Sequence, residues 1–170
     1  MTKPLIGIVM GSDSDLGTMG EVAKTLDEFG VAYEMRIISA HRTPNAAAEY
    51  ASEARERGLK IIIAGAGMSA HLAGVLAAYT TLPIISIPLR NPNHGHEALW
   101  SNIAMPPGIT LATMPENGCK NAALYAVEIL ALADQTLATK YNSFRQKQSA
   151  KVVDKDTKLG KLGWQKYLDS

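Results

Sequence analysis

The sequence predicts an α/β domain of three layers, a parallel sheet held between helices. Three observations carry this. Short apolar runs recur along the chain without polar alternation, helix-patterned segments separate them, and loops rich in Gly, Ser and Pro follow the runs. Strands lacking polar alternation are covered on both faces. Their strict interleaving with helices implies parallel pairing through right-handed crossovers.

The elements follow in order. Leu5 to Met10 is a buried strand, Gly11-Ser12-Asp13-Ser14-Asp15 a turn, and a helix runs on to about Phe29, where Gly30 ends it. Tyr33 to Ile38 is the second strand. Ser39-Ala40-His41-Arg42-Thr43-Pro44 is the second loop, with Pro44 suited to the first turn of a helix closing at Gly58. Lys60 to Ala64 is an isoleucine-rich third strand, followed by the loop Gly65-Ala66-Gly67-Met68-Ser69-Ala70 and a helix from about His71 to Tyr79. Ile84 to Pro88 and Ile109 to Thr113 complete the strands, and one long helix extends from Asn117 to roughly Ala150. Residues 1–150 therefore form one domain. The tail, 151–170, is charged and Gly-interrupted, yet carries Trp164, Tyr167 and Leu168. Either it frays or it docks on a neighbouring subunit, and the cost of exposing Trp and Tyr favours docking.

The chain has 170 residues, enough to bury a core, and 46% of them are hydrophobic but only 6% aromatic, so aliphatic side chains must fill it. Seventeen basic and sixteen acidic residues leave a net charge of +1. That balance argues against a nucleic acid or an anionic membrane held by bulk charge. The single cysteine, Cys119, excludes an internal disulfide and lies in an apolar run, which reads as a structural small residue. No signal-peptide pattern opens the chain and no apolar stretch approaches a bilayer span, which reads as a cytoplasmic protein.

In open parallel sheets ligands bind beyond the carboxyl ends of the strands, and three distinctive loops converge on that edge. In the first, hydroxyls and helix-terminal amides suit a phosphate, and Asp15 suits a ribose hydroxyl. Simple helix capping by Ser and Asp is the equal alternative. The second groups Ser39, His41 and Arg42. Arginine grips phosphate bidentately, and histidine moves protons near neutrality. The third has no side chain for metal or nucleophilic chemistry. Backbone amides around Gly65, Ala66 and Gly67 would cradle a flat ring or a carboxylate, or the segment is a plain turn. His94-Gly95-His96-Glu97 reads as a mobile loop over the site in preference to a metal pair, since no third ligand accompanies it. His71, opening a helix, reads as a structural histidine facing the core.

These loops, together with Ala70-His71-Leu72, Met105-Pro106, Gly108 and Asn121-Ala122-Ala123-Leu124, resemble the class I 5-(carboxyamino)imidazole ribonucleotide mutases of purine biosynthesis over about residues 4 to 135. The Ser-Ala-His-Arg loop is the most specific match. The resemblance implies a flavodoxin-like fold assembled as a homo-octamer with sites at subunit contacts. It implies transfer of a carboxyl group from the exocyclic nitrogen to a ring carbon of a small nucleotide, with neither metal nor organic cofactor. It assigns Ser12, Asp15 and Arg42 to nucleotide binding, Ser39 beside the phosphate, and His41 as general acid and base. This chain departs from the family at Met68-Ser69, where Gly-Ala is usual, at Ala73 in place of proline, and at Glu97-Ala98 in place of Asp-Ser.

Three alternatives stand beside that reading. An aminoimidazole ribonucleotide carboxylase using free carbon dioxide would carry lysine at Arg42 and Gly-Arg-Ser-Asn in the third loop. Met68 and Ala98 also leave room for a relative acting on another nucleotide. A non-enzymatic flavodoxin-like module would be a yellow flavin carrier, or would want an aspartate ending the third strand, where Ala64-Gly65 stands.

Overall fold

The computed structural model describes residues 3–91, 93 and 95–170. Two compact units divide the chain, 1–130 and 131–170.

The first unit is built on five parallel strands: β1 (Ile6–Met10), β2 (Tyr33–Ile37), β3 (Ile61–Gly67), β4 (Ile84–Leu89) and β5 (Ala112–Thr113), in the order β2-β1-β3-β4-β5. Ile6 pairs with Tyr33 on one side and Ile61 on the other. The chain therefore reverses its direction of travel across the sheet between β1 and β3. That switch opens a crevice at the carboxyl ends of these strands. The parallel α/β architecture anticipated from the apolar runs, and the flavodoxin-like fold that the resemblance implies, are the ones observed.

The core follows from side-chain alternation across a sheet covered on both faces. Val9, Ile62, Ala64 and Ile84 pack with Ala47, Tyr50, Ala51, Leu72 and Leu76 of helices α2 (Pro44–Glu53) and α3 (Leu72–Tyr79). Ile8, Met10, Ile61 and Ile63, of opposite parity, are also fully buried. Helix α1 (Leu16–Phe29) buries Met19, Val22, Ala23, Leu26 and Phe29 at helical spacing. It stops at Gly30, whose left-handed φ of 71° lets its amide and that of Val31 bond back to Asp27 and Leu26. The two edge strands break the fully buried pattern: β5 is half-buried, and in β2 Arg36 and Ile37 are exposed.

Several boundaries differ from those expected. β3 runs on through Gly67 because Ala64 to Gly67 pair with Ser86 to Leu89, and β5 is only two residues long. A short helix, α4 (Glu97–Ile103), follows the histidine loop where no element was expected. Its seven residues have no side-chain cap to announce it. The long C-terminal helix is two. α5 (Cys119–Ala131) ends the first unit, and α6 (Gln135–Leu168) makes up most of the second. Asp134 starts α6 afresh, its carboxylate accepting from the amides of Thr136 and Leu137 at 2.9 and 3.0 Å. The tail is thus helical, with a break at Gly163, whose φ is 72°. Among the described residues no helix is long and apolar enough to cross a membrane.

Candidate active site

The loops after β1, β2 and β3 meet around one open cleft of about 790 Å³. The first begins with Ser12 in an extended conformation. Its hydroxyl accepts from the Ser14 amide at 3.3 Å and from the Ser14 hydroxyl at 3.0 Å, capping the short 3-10 turn Asp13–Asp15 that leads into α1. Capping and exposure to a ligand are therefore compatible, since Ser12 and Ser14 also line the cleft. Asp15 stands beside them. Burial raises its carboxyl above the usual aspartate range, while the Ser12 amide, the Ser14 hydroxyl and the Arg42 charge pull it partly back.

The second loop is cross-braced by Thr43. Its hydroxyl donates to Ser39 O at 3.0 Å and accepts from the Ser39 amide at 3.0 Å, which frees Pro44 to open α2. Within this brace the Ser39 hydroxyl accepts from the Arg42 amide at 3.2 Å. Arg42 Nη2 reaches across to Gly11 O at 2.9 Å. One guanidinium thus ties the first loop to the second while lining the cleft.

His41 is exposed in the cleft, and its Nε2 lies 2.9 Å from Nδ1 of His71, the two rings edge to face at 83°. His71 is a correction to the expectation of a core histidine: it is exposed and belongs to the site. The missed signal was positional. A residue immediately preceding α3, just after β3, has to sit at the carboxyl edge of the sheet.

The third loop divides. Ala66 and Gly67 line the cleft, and a Cβ on Gly67 would stand 3.1 Å from Leu89 O, so a side chain there would crowd β4. Gly65 does not line it. It is buried within β3, and a Cβ would collide with the sulfur of Met19 on α1. Its lack of a side chain serves the packing of α1 on the sheet. Met68 lines the cleft at a left-handed φ of 55°, the conformation that the glycine usual in resembling sequences adopts freely. Leu89, Arg90, Asn91 and Asn117, none of them anticipated, complete the wall beyond β4.

Of the histidine loop, His94 lies outside the described residues, and His96 Nδ1 is 2.9 Å from Glu116 Oε2. Among the described residues no three His, Cys, Asp or Glu side chains gather as a metal site would require. Cys119 is fully buried at the start of α5. Burial, aided by Glu21, pushes its thiol up to about 11, so it is not a thiolate near neutrality.

Residues 5–151 match the family model described as AIR carboxylase. The chain is 48% identical to the N5-carboxyaminoimidazole ribonucleotide mutase of Pyrococcus horikoshii, covering 98% of this chain and 94% of that one. It is also 48% identical to the N5-carboxyaminoimidazole ribonucleotide mutase of Synechocystis sp., covering 98% and 96%. The crystal structure of Treponema denticola PurE superposes with a TM-score of 0.84 at 33% identity, over 92% of this chain and 98% of that one. The chain belongs to the AIR carboxylase family.

Proposed function

We infer that this member of the AIR carboxylase family is an N5-carboxyaminoimidazole ribonucleotide mutase, an isomerase of purine biosynthesis. The observation that carries the reading is the juxtaposition of His41 with Arg42, Ser39, Ser12 and Asp15 around one cleft. A proton carrier stands beside a phosphate grip and a sugar acceptor.

Each group has a role that its geometry supports. The Arg42 guanidinium, with the Ser12 and Ser39 hydroxyls, takes the phosphate, and Asp15 accepts from a ribose hydroxyl. The ring lies along the backbone of Ala66 and Gly67. His41 gives a proton to the carbamate nitrogen as its bond to the carboxyl carbon breaks, releasing carbon dioxide and leaving aminoimidazole ribonucleotide. The electron-rich ring carbon then attacks the trapped gas, and His41 takes the displaced ring proton back. Protons balance over the cycle. General acid–base catalysis of this kind contributes about 10²–10⁴-fold. Holding the gas beside the ring adds a proximity gain of up to about 7–11 kcal/mol. His71, 2.9 Å from His41 Nε2, orients the imidazole between its two tasks.

The same reading makes the protein a cytoplasmic homo-octamer with sites at subunit contacts. Exposed Trp100 and Ile103, one turn apart on α4, support a second copy covering that face. Exposed Leu159, Leu162 and Trp164 support docking of the tail, 151–170, on a neighbour. Light scattering giving a stable monomer would sink the assembly.

The direct test supplies purified protein with N5-carboxyaminoimidazole ribonucleotide, with and without bicarbonate. The expected result is a 4-carboxy product formed at the same rate in both. Product that forms only from aminoimidazole ribonucleotide and bicarbonate would make it a carboxylase instead.

A further inference from the structure

The wall of the cleft beyond β4 has no part in the chemistry above, yet it is firmly built. Asn117 adopts a left-handed φ of 55°, which asparagine tolerates better than most residues. From there its Oδ1 accepts the Arg90 amide at 3.0 Å, and its own amide donates to Pro88 O at 2.9 Å. On the other side Gly67 brings β3 close against the Leu89 carbonyl. The backbone at Arg90 is therefore held from both neighbouring segments. The Arg90 side chain is exposed at the cleft and, among the described residues, engages no carboxylate.

Arg42 follows β2 and Arg90 follows β4, and in the order β2-β1-β3-β4 they stand three strand steps apart, about 14 Å at the usual spacing. His41, on the loop after β2, and the Ala66–Gly67 backbone, at the end of β3, lie in this stretch. The cleft thus has a guanidinium at each end and the proton carrier among its walls. A nucleotide with a phosphate at one end and a carboxylated ring at the other has the matching charges.

We propose that Arg90 is a substrate-binding residue that recognises the ring carboxylate, opposite the phosphate grip of Arg42. This rests on the mutase reading and deepens it. A guanidinium meets a carboxylate through two parallel N–H donors. Arg90 therefore discriminates the carboxylated nucleotide from aminoimidazole ribonucleotide, which has the same phosphate, sugar and ring but no carboxylate.

The test is calorimetric binding of 4-carboxy-5-aminoimidazole ribonucleotide and of aminoimidazole ribonucleotide to the full-length wild type, Arg90→Gln, Arg90→Lys and Arg42→Gln. Arg90→Gln is expected to lose about tenfold to a hundredfold in affinity for the carboxylated ligand and to stay within about threefold for the other. Arg90→Lys, keeping charge without the fork, falls between. Arg42→Gln weakens both ligands alike. Equal losses for the two ligands in Arg90→Gln, or no loss for either, would overturn the proposal while leaving the mutase reading intact. A wild type that binds neither ligand would sink both.

Discussion

At the amino end of the sheet, the Arg57 guanidinium lies 4.6 Å from the Tyr50 ring centroid and 2.8 Å from Glu34 Oε1. At the carboxyl end, the Arg42 guanidinium bonds one backbone carbonyl and lines an open cleft. Both ends bring together arginine, a carboxylate and a ring. At the amino end these groups are turned on each other. Tyr50 is buried against Gly7, and its phenol is pushed far up by burial and the nearby Glu34. At the carboxyl end His41, His71 and Arg42 stay exposed, on backbone fixed by Thr43 and Ser39. The difference teaches that clustered polar chemistry does not by itself mark a site. What marks it is a rigid backbone under side chains whose bonding capacity is left for a ligand.

That contrast separates two kinds of damage, and substitutions can test it. The largest effect is expected at His41. His41→Asn should lower turnover by about 1,000-fold or more while keeping nucleotide affinity within about tenfold, measured by single-turnover kinetics and calorimetry. Normal turnover would end the proton-shuttle assignment. His71→Ala should cost about tenfold to a hundredfold in kcat with little change in KM, because it positions His41 rather than touching the phosphate. Neither change should move the melting temperature much.

At the amino end the signs exchange. Gly7→Ala places a methyl group against Tyr50 Oη, and should destabilise by about 1–3 kcal/mol with kcat per folded molecule unchanged. The Tyr50 oxygen is buried near Glu34 and Arg57 without a well-aligned hydrogen bond. Adding Tyr50→Phe should therefore recover part of the loss in thermal melts, and an additive or worse double variant would refute the collision. Back at the carboxyl end, Met68→Gly, relieving a left-handed residue, should gain about 1 kcal/mol.

The smallest effect tests where the two behaviours overlap. Burial raises the Asp15 carboxyl, so its ionised form is disfavoured in the fold. The sign follows: this group's contribution is most favourable below the ordinary aspartate range and declines as pH rises through its raised value. Asp15→Asn should melt slightly higher than wild type at neutral pH, with the gain vanishing in acid, while binding nucleotide more weakly. A melting curve equally displaced at all pH values would deny that burial is the cause.

Much of this was legible in the chain because local physics settles it. Ile6–Met10 and Ile61–Ile63 are apolar on both faces, and Ile84–Ile87 is so but for Ser86, a pattern that a covered parallel strand accepts. Gly30 and Pro44 mark helix ends by backbone geometry alone. The break between α5 and α6 was hidden because Leu130-Ala131-Leu132-Ala133 continues the apolar helical pattern, although Asp134-Gln135-Thr136 held the cap signal. α4 escaped for want of such a cap.

The site was half legible. By itself the sequence determined that hydroxyls, Arg42 and His41 follow strands of one parallel sheet at its carboxyl edge, since strand-forming runs and loop composition are properties of short segments. It did not determine that His71 meets His41, that Gly65 yields space to Met19 and not to a ligand, or that Arg90 shares one cleft with Arg42. Each of those depends on residues from different elements, thirty or more positions apart in all three cases. Such distances are set only when the sheet forms and its twist and register bring separate loops to one edge.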